Sequence, residues 1–286
     1  MVRVETVLQI QKAIKSVRDL KQGYHTNFFI DGARLEILIE NGMLYYLDLD
    51  GTVFFFKRNA SFYNVFYSSI TLESLRKALQ VLNSFKTDNI YVFDIVGDPN
   101  KLTDTFETFI MSRFSLYTTL IRMSRLIEDS QEQINLPELR LANHEDLSEL
   151  YNLLYNYFDV YAEQLPGIDD LKNWILHSRI LLYIKEGTII GFLIFDIVIK
   201  TSYLRYWFVH PEHRNSKVGS SLLKWFFHES RNTIRQHFWV IENNENAIKR
   251  YRHYGFKPEN MIDYVFINID KHYEGENSRN FKGNTA

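Results

Sequence analysis

The stretch 203–256 constrains the fold of this chain most strongly, because its pattern predicts a buried strand, a polar loop and an amphipathic helix in succession. The strand Tyr203–Val209 is aromatic and β-branched and contains no glycine, and Pro211 ends it. In the predicted helix, which runs over Val218–Glu229, apolar residues recur at helical spacing: Val218, Leu222, Trp225 and Phe226. The sequence therefore predicts a strand–loop–helix unit.

The loop between this strand and this helix has the composition of a phosphate-binding turn. Such a loop directs several backbone N–H groups and the positive end of the helix dipole towards one point. Gly219 allows close approach of an anion, and Arg214 and Lys217 add positive charge. An isolated glycine often serves only the turn, so Gly219 alone is weak evidence.

A second strand–helix block follows. The strand Phe238–Ile241 precedes a short predicted helix that begins near Asn244 and is capped by Gly255. Its apolar side carries Ala247, Ile248, Tyr251 and Tyr254.

Together the two blocks resemble the GNAT superfamily, the acyl-CoA-dependent N-acyltransferases. In that family a strand ending in Val-x-Pro leads to Arg/Gln-x-x-Gly-x-Gly/Ala, which wraps the pyrophosphate of coenzyme A. The match here is Val209–Arg214 followed by Val218–Ser220. Lys217 departs from the pattern, because it stands where the family usually has its first loop glycine. The family's second block matches Asn244, Ala247, Tyr251 and Gly255–Phe256.

The resemblance covers about Glu138–Asp270 and implies an α/β (α+β) fold with a GNAT-like mixed central sheet flanked by helices. It also implies acetyl-CoA (coenzyme A) as the acyl donor and no metal. For the basic run Lys249, Arg250 and Arg252, a solvated helix face and a position near the 3′-phosphate of coenzyme A both stay open. The implied cofactor-binding residues are Phe208, Val209, Arg214, Asn215, Ser216, Lys217, Val218, Gly219, Ser220, Asn244, Ala247 and Tyr251.

Transfer of an acyl group from a thioester to an amine needs a base, an oxyanion donor and an acid. By the resemblance, the Tyr251 hydroxyl lies beside the sulfur of coenzyme A, and a phenol of pKa about 10 can protonate a thiolate whose pKa is near about 8.5. Without the resemblance, Tyr251 would be a packing aromatic, one of 18 tyrosines. The resemblance further implies that backbone N–H groups at Phe208 and Val209 meet the acyl group and its pantetheine arm.

The sequence leaves the general base open. Many family members use a carboxylate on or beside the central strands, whereas the organising strand here carries Arg205. Glu242, at the end of the following strand, is the first candidate and Asp196 the second; each is equally consistent with an exposed or hydrogen-bonded acid, and a water chain is the third option. Arg205 is either an exposed strand arginine or, if it faces the cleft, a ligand for a substrate carboxylate.

The composition of the chain argues against several other kinds of site and partner. The chain of 286 residues has no cysteine, which excludes disulfides, thiolate zinc sites and a cysteine acyl-enzyme intermediate. The net charge of −2 argues against a nucleic-acid binder. His210 and His213 lack further ligands nearby, so no metal site is predicted. There is neither a signal peptide nor a run of the roughly 20 apolar residues that a membrane helix needs, and we expect a cytoplasmic protein without a membrane partner.

The sequence pattern of the N-terminal half predicts a smaller α/β domain. Arg34–Ile39 and Met43–Leu47 flank Asn41-Gly42, a strong hairpin signal, and Val53–Phe56 extends the meander. Apolar spacing predicts helices over Val4–Leu20, Thr71–Phe85 and Lys101–Met111, and strands over Ile90–Phe93 and Tyr117–Met123.

The same order of elements is predicted for the C-terminal half, and an offset of about 145 residues lays Phe106 on Tyr251. Two interpretations stay open: an ancient duplication, or the loose match that any two α/β halves show. In a duplication the N-terminal copy is degenerate, because Phe106 has no hydroxyl and Ile110 replaces the capping Gly255.

The predicted organisation is an N-terminal domain over 1–130, a polar linker over 131–137, a catalytic domain over 138–270 and a disordered tail over 271–286. The predicted activity moves an acetyl group from acetyl-CoA to a primary amine of a small molecule, without a covalent enzyme intermediate. The alternatives are acetylation of a protein or peptide amine and a non-catalytic acyl-CoA-binding module. A homodimer is a further partner hypothesis.

Overall fold

The computed structural model of the protein describes residues 1–20, 23–30, 32–49, 51–85, 89–127, 137–214 and 216–269. These residues divide into two compact units. Unit 1 contains Met1–Leu120 together with residues 260–269, and unit 2 contains Ile121–Glu259. The predicted tail, and the predicted linker apart from Pro137, lie outside the described residues.

The elements of the N-terminal part, in chain order, are β1 (Val2–Arg3), α1 (Val7–Arg18), β2 (His25–Thr26), α2 (Gly32–Glu40), β3 (Leu44–Leu49), β4 (Thr52–Arg58), β5 (Phe62–Ser69), α3 (Leu72–Ser84), β6 (Ile90–Gly97), α4 (Pro99–Met111) and β7 (Ser115–Leu126). Those of the C-terminal part are β8 (Leu139–Leu141), α5 (Leu147–Tyr157), α6 (Ile168–Leu176), β9 (Ile180–Lys185), β10 (Thr188–Val198), β11 (Thr201–Val209), α7 (Val218–Glu229), β12 (Arg235–Ile241), α8 (Glu245–His253) and β13 (Lys257–Ile267). Short 3₁₀ turns occupy His144–Asp146 and Pro211–His213.

Unit 2 is a mixed sheet with helices on both faces. Its strands follow the order β12, β11, β10, β9 and β8, and residues 121–126 of β7 lie beside β12. The pairs from β8 to β11 are antiparallel, while β11 and β12 run parallel. One face packs against α7 and α8 through residues such as Trp207, Leu222 and Phe226, and the other packs against α5 and α6. This confirms the predicted mixed sheet flanked by helices.

Unit 1 repeats this succession of elements. Its sheet has the order β1, β3, β4, β5, β6 and β13, and its one parallel pair among the described strands is β5 with β6. After two helices and three antiparallel strands come a helix, a parallel strand and another helix, as in unit 2. This shared order is what a duplication requires, and the degenerate-copy hypothesis stays a prediction. Among the described residues, no helix combines the length and apolarity needed to cross a membrane.

One predicted element is wrong: Arg34–Ile39 is not a strand but part of α2. Leu35, Leu38 and Ile39 are buried while Ile37 is half exposed, which is helical spacing rather than alternation. The glycine of the supposed hairpin instead ends this helix. Gly42 has a φ of +61°, its N–H donates to the carbonyl of Ile39, and the next N–H donates to that of Leu38.

The two compact units also differ from the predicted ranges 1–130 and 138–270. Residues 260–269 belong to unit 1 because β13 pairs antiparallel with β6, from Ile262 opposite Gly97 to Ile267 opposite Val92. The apolar pattern of β13 predicts a strand but does not indicate its neighbour, so the pairing is a tertiary feature.

In unit 1 the space between β5 and β6 is filled by the unit's own chain. The two strands pair over only three positions, from Phe62 to Asn64 on β5. Beyond these, β2 pairs with Ser68–Ser69 of β5, and the Asn27 side chain bridges the two strands. Its amide donates to the carbonyls of Val65 (3.2 Å) and Asp94 (3.1 Å), and its oxygen accepts from the N–H of Tyr67 (2.6 Å).

Two buried carboxylates lie on neighbouring strands of unit 1. Asp263 on β13 pairs opposite Val96, and Asp94 on β6 pairs opposite Val265, so the two side chains are diagonal neighbours on one face. Both are at least nine-tenths buried. Burial raises the pKa of Asp263 well above its ordinary value, and the nearby Asp94 carboxylate raises it further.

We expect Asp263→Asn to stabilise the protein by about 1–3 kcal/mol at pH 8 and by less at pH 5. A carboxyl group whose pKa is raised on folding destabilises the folded state progressively as the pH rises from its unfolded pKa to its folded pKa, and the full penalty is present above the folded pKa. Asparagine resembles the protonated acid and escapes this penalty. Denaturant unfolding at both pH values measures the effect, and Asp104→Asn on the exposed side of α4 is the control. An Asp263→Asn variant that is less stable at pH 8 would contradict the assignment.

Candidate functional site

The loop that leads from β11 into α7 ends in a residue with a left-handed backbone conformation. Lys217, the residue before α7, has a φ of +65° and a ψ of −1°, which is the left-handed region. Side chains of L-residues are disfavoured there, whereas glycine is not. The position at which Lys217 departs from the GNAT pattern is therefore one where the backbone itself favours glycine. The helical conformation still begins at Val218, so the departure leaves the turn in place.

Gly219 brings the beginning of α7 directly against β11. A Cβ atom at this position would lie 3.1 Å from Cζ2 of Trp207 and 3.2 Å from Cγ2 of Val209, closer than ordinary packing. The first-turn N–H groups of a helix have no partner within the helix and carry its positive dipole end. Gly219 thus places an anion-binding helix terminus beside the strand.

A cleft of about 680 Å³ opens in front of this helix terminus. It has strong positive charge, because four cationic side chains contribute to its wall and no carboxylate of the described residues does. Diphosphate or phosphate groups suit such a wall. The lining residues are Trp207, Val209, His213, Arg214, Lys217, Gly219, Ser220, Asn244, Asn246, Lys249, Arg250, His253 and Tyr254.

Six of the twelve predicted cofactor residues line this cleft. Phe208 packs its ring into the α5 side of the sheet, 5.2 Å from the ring of Phe192, while Val218 of α7 and Ala247 of α8 are buried in the core on the other face. Ser216 donates a hydrogen bond to the carbonyl of His213, and Asn215 lies outside the described residues. The predicted residues that line the cleft are Val209, Arg214, Lys217, Gly219, Ser220 and Asn244.

The α8 side of the cleft contributes residues that sequence reasoning missed. These residues are Asn246 and His253; they share one face of α8 with Arg250, for which the sequence left a position near coenzyme A open, and all three line the cleft. That spacing was available in the sequence as a signal. Arg252 points elsewhere and does not line the cleft. Asn244 caps this helix, since its side-chain oxygen accepts from the N–H of Ala247 at 3.2 Å.

A narrow slot adjoins the cleft where β11 and β12 separate. The two strands pair over three positions, Thr201–Tyr203 with Arg235–His237, and then diverge. Trp207 lines both the cleft and the slot, so the two adjoin each other at this residue. The slot is lined by Phe158, Glu163, Leu204, Arg205, Tyr206, Trp207, Phe238, Trp239, Val240, Ile241 and Tyr251.

Tyr251 lies in the slot rather than in the basic cleft. Its side chain is 8% exposed, and its ring packs 4.1 Å from the ring of Phe238 and 5.5 Å from that of Trp207. Burial raises the pKa of the Tyr251 phenol above its ordinary value, and the carboxyl group of Glu163 raises it further. The hydroxyl therefore holds its proton at neutral pH.

Glu163 is the carboxylate in the slot, and sequence reasoning did not find it. It lies in the loop between α5 and α6, where Oε2 accepts from the backbone N–H of Asp159 at 2.8 Å. Tyr206 fastens this loop to the sheet, because its hydroxyl donates to the carbonyl of Glu163 at 3.1 Å. Burial raises the pKa of Glu163 to about 8, although the hydrogen bond from Asp159 opposes the shift.

The two carboxylates considered from the sequence lie outside the slot lining. Glu242 follows the end of β12 with an exposed side chain. Asp196 on β10 accepts hydrogen bonds from Nε1 of Trp174 and Nε of Arg205, each at 2.7 Å. Asp196 thereby orients the side chains of Trp174 and Arg205. Among the described residues, no group of three or more His, Cys, Asp and Glu side chains is arranged to hold a metal ion.

The sequence of the C-terminal half is similar to that of known proteins. Residues 147–256 match the model of the acetyltransferase (GNAT) family. The human cysteine-rich protein 2-binding protein is 28% identical over 116 residues, which are 40% of this chain and 14% of that protein, so the chain spans a small part of this relative's length.

Solved structures show the same fold. A GCN5-related N-acetyltransferase from Sphaerobacter thermophilus superimposes with a TM-score of 0.55 at 12% identity, over 81% of this chain and 84% of that one. A GNAT-family acetyltransferase from Colwellia psychrerythraea does so with a TM-score of 0.54 at 11% identity, over 94% and 98%. Residues 147–256 therefore match the GNAT family in sequence, and the chain shares the fold of these acetyltransferases.

We expect Lys217→Gly to raise the free energy of unfolding by about 0.5–1 kcal/mol. The left-handed conformation costs an L-residue about 1–2 kcal/mol, and glycine avoids this cost. Glycine also loses more conformational entropy on folding, which offsets about 0.5–1 kcal/mol of the gain. Denaturant unfolding of the whole protein measures the change. Lys249→Gly, inside α8, is the matched control and should destabilise by about 1 kcal/mol. Equal losses in both variants would show that the Lys217 backbone is not strained.

Proposed function

We propose that unit 2 is an N-acyltransferase that moves an acetyl group from acetyl-CoA to a primary amine of a small molecule. One observation carries the proposal: the basic cleft at the start of α7 adjoins, at Trp207, a slot that is lined by both a proton donor and a proton acceptor. The cationic side chains and the first turn of α7 suit the phosphates of coenzyme A. Glu163 and Tyr251 suit acid–base chemistry at the far end.

When bound, acetyl-CoA supplies the thioester whose acyl carbon the amine attacks, so that a C–N bond forms and the C–S bond breaks. Arg214, Lys217, Lys249 and Arg250 would hold its phosphates. The backbone of β11 beyond Tyr203 diverges from β12, so its N–H groups on that edge are open to the acyl group and its pantetheine arm.

We assign the role of general base to Glu163 rather than to Glu242. The carboxylate of Glu163 takes the proton that the amine nitrogen loses, and the Tyr251 hydroxyl delivers a proton to the departing sulfur. The phenolate then regains a proton from solvent, which receives the one carried by Glu163, so the protons balance over a turnover. A base with a pKa of about 8 is strong enough for this step and still half ionised near pH 8.

Unit 1 is proposed to bind no acetyl-CoA. Its β5 and β6 separate as β11 and β12 do, but β2 and Asn27 occupy the backbone groups that such a site would need. This supports one donor site for each chain. Acetylation of a protein or peptide amine and a non-catalytic acyl-CoA-binding role are the alternatives that the following experiments address.

We expect Tyr251→Phe to lower kcat by roughly 100-fold or more while acetyl-CoA affinity stays within about twofold, because only the proton donor is lost. Steady-state release of free thiol measures kcat. Calorimetric titration with acetyl-CoA measures affinity and should give one site per chain. Unchanged turnover in this variant would overturn the role of Tyr251. Binding without turnover of any amine by the wild-type protein would favour the non-catalytic alternative.

We expect kcat/KM to rise with pH up to about 8, where Glu163 loses its proton, and to fall about tenfold for each pH unit below that. Only the deprotonated carboxylate can accept a proton, so activity follows its ionised fraction. Glu163→Gln should abolish this pH dependence and lower the rate by roughly 100-fold. Glu242→Gln is the comparison. If the fall of kcat/KM at low pH is lost in Glu242→Gln and kept in Glu163→Gln, Glu242 is the base.

A further inference from the structure

The sheet face of unit 2 that carries α5 and α6 continues past these helices into a surface rich in arginine. Arg205 on β11, Arg235 on β12 and Arg122 on β7 all project from this face, opposite to the buried Leu204 and Phe238. We call these three residues the arginine face. Their side chains are 36%, 34% and 23% exposed, respectively.

The arginine face carries an excess of one positive charge. Arg122 and Arg235 both pair with the single carboxylate of Glu259, and Arg205 pairs with Asp196 at 2.7 Å. His237 lies among these guanidinium groups. Burial, together with the charges of Arg235, Arg122 and Arg205, lowers the pKa of His237 to about 4, so this ring adds no charge at neutral pH.

The arginine face adjoins the proposed catalytic slot. Arg205 lines the slot together with Glu163 and Trp239. Its guanidinium stacks 3.8 Å from the centre of the Tyr203 ring, which fixes its plane, and it uses Nε for Asp196. Arg122 lies over the ring of Trp239 at 5.7 Å. Glu163 and the Arg205 guanidinium thus line the same slot.

We propose that the acceptor is a small amine that also carries a carboxylate, as an amino acid does, and that Arg205 is the residue that binds this carboxylate. This inference rests on the proposed function and names its substrate class. Arginine binds carboxylates through paired, charge-assisted hydrogen bonds, and a guanidinium held flat by an aromatic ring is already oriented for them. A polyamine would instead meet the excess positive charge of the arginine face.

The first test is a panel of matched acceptors with the wild-type protein: an amino acid, its amide and the amine left by decarboxylation, for instance phenylalanine, phenylalaninamide and phenethylamine. Thiol release is measured over a range of pH, so that the three acceptors are compared with their amines in the same ionisation state. We expect kcat/KM for the amino acid to exceed that of its two partners by roughly 10- to 100-fold. Equal or better use of the uncharged partners overturns the substrate class and leaves the proposed function intact. Transfer to no amine at all overturns the proposed function.

The second test replaces the proposed ligand. Arg205→Gln should raise KM for the amino acid by roughly tenfold or more, leave kcat nearly unchanged, and leave KM for the decarboxylated amine unaltered. Arg76→Gln is the matched control, since Arg76 is also an ion-paired arginine and is 38% exposed. An equal rise in KM for both acceptors overturns the role of Arg205. Aminoethyl phosphate is a further acceptor in the panel, and its preference over every carboxylate would also overturn the proposal.

Discussion

The separation of two parallel strands is the constraint on which the candidate site depends. The N–H and C=O groups of a β-strand inside a sheet form hydrogen bonds with the neighbouring strands, so none is left to bind a ligand. Because β11 and β12 part after three paired positions, the edge of β11 beyond Tyr203 becomes available in the middle of a sheet. The same divergence opens the slot in which Glu163, Trp207 and Tyr251 meet. The helix α7 can then present its N-terminus to the cleft because Gly219 adds no side chain against the strand.

Unit 1 shows that the divergence alone does not make a site. Its β5 and β6 also pair over three positions and then part, yet Asn27 satisfies the freed groups with three hydrogen bonds. Buried backbone groups without partners are costly, so a sheet that opens must bind something, whether ligand or chain. In unit 1 the chain itself fulfils that need. This is a physical reason why one architecture can serve binding in one unit and structure in the other.

The sequence predicted the fold of unit 2 closely because its signals are local. Each signal involves residues that are close together in the sequence. Examples are the apolar spacing of α7, the strand Tyr203–Val209 and the capping Asn244. Non-local features were missed. The partner of β13 depends on a distant strand, and α2 was mistaken for a strand because Leu35, Ile37 and Ile39 also fit alternation. Glu163 had no signal at all, since an acid in a loop gains its raised pKa only from the tertiary packing around it.

The charges of the slot and of the arginine face fit one kind of molecule best when they are considered together. Glu163, once ionised, presents a negative charge, and the arginine face presents an excess positive charge. An amino acid reaches the site as a zwitterion with the opposite arrangement, an ammonium group and a carboxylate. The ammonium favours the ionised form of Glu163 and so lowers the pKa of this base on binding, while the carboxylate offsets the excess charge of the arginine face. Binding thus prepares Glu163 to accept the proton, because the acceptor that fits the charges also ionises the base that must deprotonate it.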